Sequence, residues 1–312
     1  MPETGVEAKG FNYVTKDGNL LDQKITAGLF TGALGTPEVD LVNGGRSFTL
    51  KTISTSGLQP HTRGKGFNSG TVTDDKTIYT MGQDRDVEFY LDRQEVDETN
   101  QELAMANISN VFITEQVQPE LDSYRFSKMA TSFDNINTSD TEGNLLAKTH
   151  KVEETLDATN AYSQLKTGIG KIRKYGTQNL VGYVSSEVMD SLERSKEFTR
   201  NITNQNVGTT ALESRITSID GVQLIEVYEP NRFMTKYDFK DGAKPTEDAK
   251  AINFLIVAKP SIISIVKENA VFLFAPGQHT DGDGYLYQNR LYHDLFIKKH
   301  KRDGIFVSVK KA

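Results

Sequence analysis

Three stretches carry residue types that could do chemistry. His279-Thr280-Asp281-Gly282-Asp283-Gly284 sets three candidate metal ligands at every second position. It lacks a fourth ligand and the distal acid of a calcium-binding hand, so a solvated turn is the simpler reading. His293-Asp294, beside Lys298 and His300, offers an acid and a base, but strand neighbours point to opposite faces and a surface position is expected. The run GIGKIRKYG, ending at Gly176, has glycines without the spacing of a phosphate-binding loop; helix-end glycines account for it.

The remaining inventory is mostly exclusion. With no Cys there is no thiolate nucleophile, disulfide, zinc ribbon or iron-sulfur cluster, which fits folding in a reducing cytoplasm. No Gly-x-Ser-x-Gly elbow occurs. Lys298, Lys299, His300, Lys301 and Arg302 form the one dense basic run, read as a charged turn that can touch phosphates. No catalytic residue, cofactor or bound metal is expected. A chain of 312 residues with net charge -6 and 25% charged residues is an ordinary soluble one, so any DNA contact must be local. The first residues lack the basic start and apolar core of a signal peptide. No apolar run approaches the roughly 18 residues that span a bilayer.

The element that must organise the rest runs from Thr99 to about Phe133. Thr99 and Glu102 form a capping box, Ala104, Ile108, Val111 and Phe112 share one helical face, and Ile113, Val117, Leu121 and Tyr124 continue on a neighbouring one. Pro119 crowds the carbonyl of Glu115, which predicts a bend or local break rather than a stop. Residues 1–45 scatter apolar side chains such as Phe11 and Tyr13 among Gly, Thr and Asn, the pattern of an arm lying along its own protein or a neighbour.

Alternation at Phe48, Leu50 and Thr52 marks a strand from Arg46; Asp86 to Asp92 marks another, with Ile78, Tyr79 and Met81 expected to begin it. Between them about twenty Gly-rich residues read as the end of a long two-stranded flap with a basic tip at His61, Arg63 and Lys65. A turn or short hairpin is expected at Thr141–Asn144, then a helix over 152–176 with Ala158, Tyr162, Leu165, Ile169 and Ile172 on one face. A strand over 179–185 precedes a helix capped by Ser186, residues 200–214 read as a loop, and strands follow at 222–227, 252–258 and 262–266. The tail divides at Lys301–Gly304 into two β runs. This alternation gives an α+β protein with a mixed α/β module.

Three segments carry a family resemblance: TMGQDRDVEFYLDRQEVDETN (80–100), VQPELDSYRFSKMA (117–130) and LYHDLFIKKHKRDGIFV (291–307). Arranged with an arm and a flap, they resemble the major capsid proteins of tailed double-stranded DNA phages of Gram-positive hosts, the Hong Kong 97 fold. The resemblance implies an N-terminal arm at 1–45, an extended loop at 46–95, and a peripheral domain from 96–144 and 261–312 with its spine helix at 99–133. An axial domain fills 145–260. It further implies self-assembly as hexamers and pentamers into an icosahedral shell in the virion, built in the host cytoplasm. The implied partners are a separate scaffolding protein, a portal protein, possible head decoration proteins and weakly held double-stranded DNA, with no membrane. Candidate inter-subunit contacts are Phe11, Tyr13, His61, Arg63, Lys65, Arg85, Glu88 and Arg93. The alternatives are an encapsulin-like nanocompartment shell and a soluble metal-dependent enzyme using His279 to Asp283 or His293.

Overall fold

The structure, a computed structural model, describes residues 29–35, 46–93 except Thr62 and Lys65, 105–134, 136, 139–195, 217–280 and 282–311. Strands β1 (Ser47–Thr55) and β2 (Val72–Thr80) pair antiparallel from Ser47↔Thr80 to Thr55↔Val72, making the flap expected from the alternation. Ile78 and Tyr79 end β2 instead of starting the next strand, because the chain turns at Met81-Gly82 before β3 (Gln83–Leu91). Strand β3 alternates half-buried and exposed residues along its length, as its sequence predicts.

The long helix has two α segments, α1 (Met105–Phe112) and α2 (Gln118–Ala130), joined by a π turn at Ile113–Val117. The amide of Gln118 reaches back to the carbonyl of Ile113, so the wider turn makes room just before Pro119. The predicted break is therefore a π bulge, and the helix stays continuous through it. Ile113, Val117, Leu121 and Tyr124 are buried, but Val111 is 53% exposed and does not share the predicted core face. The Thr99–Glu102 capping box and Ala104 lie outside the described residues.

The expected hairpin at Thr141–Asn144 is instead the start of helix α3 (Thr141–His150). Asp140 caps it by accepting the Gly143 amide at 2.9 Å, a cap that the hairpin reading overlooked. The next predicted helix begins late. Lys151–Glu154 forms strand β4, parallel to a strand at the C-terminal end of the chain, and the Asp157 carboxylate takes the Thr159 and Asn160 amides into a turn before α4 (Ala161–Ile172). Gly168 and Gly170 sit inside α4 rather than at its end, and Gly176, with φ of 84°, ends the 3-10 turn that follows.

Strand β5 (Leu180–Ser185) leads directly into α5 (Ser186–Glu193), where the predicted cap fails: Ser186 Oγ donates to Glu226 Oε1 at 2.7 Å. Beyond 196–216, which lie outside the described residues and contain the whole predicted 200–214 loop, β6 (Ser218–Ile219) and β7 (Val222–Val227) form a tight hairpin. Asp220 and Gly221, with φ of 51° and 78°, supply its two left-handed positions. Short strands β8 (Tyr237–Asp238) and β9 (Lys244–Pro245) pair before β10 (Ile252–Ala258).

Strand β11 (Ile262–Phe274) runs well past the predicted end at Val266, because a register shift between Val266 and Glu268 carries pairing through the polar Lys-Glu-Asn step. It pairs with β12 (Tyr285–Ile297), and the chain closes with β13 (Ile305–Lys310). The two tail runs exist as predicted but join different sheets. Strand β12 lies between β11 and β3, while β13 lies in a six-stranded mixed sheet of order β4-β13-β10-β5-β7-β6.

Leu255 and Val257 of β10 face the core beneath α2, and Phe254 and Ile256 face the core beneath α4 and α5. Burial on both faces explains why β10 reads as an apolar run interrupted only by Asn253. The three-stranded sheet is covered by the long helix through Ile113, Val117, Leu121, Tyr287 and Leu291.

Candidate assembly surface

The flap packs into the body at its base. Phe48 and Met81 are 2% and 3% exposed among Ile263, Ile265, Tyr292 and Phe296, with the Phe48 ring 5.2 Å edge-on from Phe296. Farther out the hairpin has no such cover: Ile53 and Val72 are exposed, and Leu58 and Phe67 at the tip are fully so; Ile78, paired with Thr49 near the root, is exposed as well. His61 and Arg63 stand exposed at that tip, and Lys65 lies outside the described residues.

Where the flap meets the body, a buried carboxylate fixes it. Asp294 accepts the Gly82 amide at 2.9 Å, the Tyr124 hydroxyl at 2.6 Å and Lys128 Nζ at 3.4 Å. Burial, reinforced by that carboxylate, pushes the Tyr124 phenol far above its ordinary range, so it stays a donor. His293 lies beside this cluster, buried, with its ring edge-on to Tyr124. The surface position predicted for His293-Asp294 is thus incorrect. Both sides of β12 are covered here, one by the long helix and the other by the flap base, so alternation does not expose either residue.

The segment at 29–35 is clasped by the long helix of its own chain. Asp122 accepts the amides of Phe30 and Thr31 at 3.2 and 3.0 Å and the Thr31 hydroxyl at 2.8 Å, while Arg125 Nη1 donates to Thr31 Oγ1 at 2.9 Å. Arg232 lies 3.5 Å from Asp122 and over the Phe30 ring, and Leu34 enters the core. Phe11 and Tyr13 lie outside the described residues. Sequence reading missed Asp122 and Arg125 because a helix-borne Asp and Arg look like solvated surface until burial is known.

Arg85 is held within the chain by a two-pronged pair with Glu120, at 2.7 and 3.3 Å, and Glu88 accepts from Gln288 at 2.6 Å. Arg93 is exposed. These three belong to β3 and its end, apart from the flap tip. His279 is buried with Nε2 2.7 Å from the Gly284 carbonyl, which closes its turn. Among the described residues no three His, Asp or Glu side chains gather to hold a metal, and no helix is long and apolar enough to cross a membrane.

No family model matches the sequence, and no curated protein matches it. Solved structures do. The asymmetric unit of the bacteriophage PhiM1 mature capsid is similar with a TM-score of 0.62 at 12% identity, covering 85% of this chain and 82% of that one. A structure from Mycobacterium phage Che8 gives 0.59 at 10% identity, covering 99% and 93%. One from Gordonia phage Cozz gives 0.55 at 12% identity, covering 91% and 86%. The chain is a mixed α/β protein with the fold of phage capsid subunits. That fold is the Hong Kong 97 fold which the three sequence segments resemble.

Proposed function

We propose that this chain is the major capsid protein of a tailed double-stranded DNA phage. Copies associate as hexamers and pentamers and close into the icosahedral shell of the virion. The observation that carries this reading is the flap: its root is packed into the body, while its outer part presents Leu58, Phe67, Ile53 and Val72 to solvent. A two-stranded hairpin is marginal by itself, and large apolar side chains at its end gain burial only against another surface. Sister subunits supply that surface, which links order in the flap to assembly. Arg63 at the tip, beside the exposed His61, adds charge that fixes register.

In this reading the arm, flap, peripheral and axial domains follow the boundaries implied by the resemblance, with β3 serving the peripheral sheet. A scaffolding protein, a portal protein and packaged DNA are the further partners, and the subunit itself is structural and not an enzyme. Electron microscopy of the purified protein, expressed alone and with the phage's scaffolding protein, tests this. Closed shells or curved sheets are expected. Particles of one or two copies under both conditions, at all concentrations, would sink it.

A further inference from the structure

Between the flap base and the turn after β12 lies a cavity of about 220 Å³. Lys51, Thr52, Thr77 and Tyr79 line it from the flap, and Lys298 to Lys301 line it from the turn. Tyr79 fixes the two walls together, its hydroxyl donating to the Ile297 carbonyl at 3.4 Å and accepting the Lys299 amide at 3.1 Å. One carboxylate serves this basic wall. Asp75 lies 3.4 Å from both Lys299 Nζ and His300 Nε2. Among the described residues, the ammonium groups of Lys51, Lys298 and Lys301 have no ion-pair partner.

We infer that this cleft binds a phosphate oxyanion, either free phosphate or a phosphodiester of a nucleic-acid backbone. Lysines of the turn face hydroxyls of the flap across the cleft, and a tetrahedral group offers acceptor oxygens toward both walls. Burial, with Lys301 adding to it, holds the Lys298 ammonium below its ordinary pKa, a cost that a bound anion removes. Thr52 and Thr77 add neutral donors from the flap side. The inference does not depend on the shell reading, since it rests on the cleft within one chain.

The test is a phosphorus NMR titration of the full-length protein with inorganic phosphate at low salt. Saturable broadening is expected, with affinity falling about ten-fold or more in a Lys298→Gln/Lys301→Gln variant and kept in Lys298→Arg. Thermal unfolding of each variant checks its fold; if the double variant does not fold, Lys301→Gln alone must show the loss. Displacement of phosphate by a short duplex DNA identifies the backbone as the source, and its failure to displace identifies free phosphate. Binding that never saturates, or that is equal in wild type and variant, overturns the inference. So does occupation by an acidic peptide that phosphate cannot displace.

Discussion

Tyr124 on the long helix and Asp294 on β12, 170 positions apart in sequence, meet in a buried hydrogen bond of 2.6 Å. The same carboxylate holds the Gly82 amide, where the flap leaves the body, so helix, sheet and flap root share one polar centre. Lys128 is 43% exposed and contributes little to it.

Asp294→Ala strands both the phenol and the Gly82 amide in a buried site, at a cost of about 2–4 kcal/mol. Tyr124→Phe removes only one donor and costs about 1 kcal/mol. Urea unfolding measures both. Hydrogen exchange at Gly82 separates them: it quickens in Asp294→Ala and holds steady in Tyr124→Phe. Equal exchange in the two variants would show that Asp294 does not anchor the flap root.

His293 makes the fold sensitive to acid. Burial first, then the positive charges of Arg125, Arg85 and Lys128, depress its pKa to about 3. The unfolded chain takes up this proton near pH 6.5 while the folded chain does not, so stability is present above that pH and is lost progressively as pH falls toward 3. The loss from this group is roughly 2 kcal/mol between pH 7 and pH 5. His293→Gln should flatten that part of the stability curve. An unchanged slope in the variant means that His293 is not held neutral in the folded chain.

Elements with a clear apolar pattern were legible in the sequence: β1 and β3 from alternation, the long helix from its apolar spacing, β10 from its run of large apolar residues. What escaped depended on side chains satisfying the backbone locally. Asp140 turned an expected hairpin into α3, and Asp157 delayed α4, both by taking amides that composition alone leaves unassigned. The polar centres were harder still. Asp122, Arg125, His293 and Asp294 are residue types usually found in water, and only the meeting of distant segments buries them.

Two glycines two residues apart in α4, on opposite sides of the helix, should respond oppositely to alanine. A β-carbon at Gly168 would meet Phe306 Cδ1 at 2.8 Å and Ile256 Cδ1 at 2.9 Å, whereas one at Gly170 meets nothing within 4 Å. Gly170→Ala thus gains helix propensity, about 0.5–1 kcal/mol. Gly168→Ala gains the same propensity but overpacks the core beneath the helix, for a net loss of about 1–2 kcal/mol. Thermal midpoints moving in the same direction would contradict the close approach of α4 to the sheet.

Removing apolar surface from the flap tip separates folding from assembly. Leu58 and Phe67 touch no core in the single chain, so Leu58→Ser/Phe67→Ser should leave subunit stability within about 0.5 kcal/mol of wild type. If sister subunits bury these side chains, the variant forfeits on the order of 1.5–3 kcal/mol at each such contact. Repeated around closed rings, that loss shifts the population from shells to free subunits. Sedimentation velocity reads the shift directly. A variant that sediments as wild-type shells would place the assembly contacts elsewhere, and one that fails to fold would mean that the tip packs on its own chain.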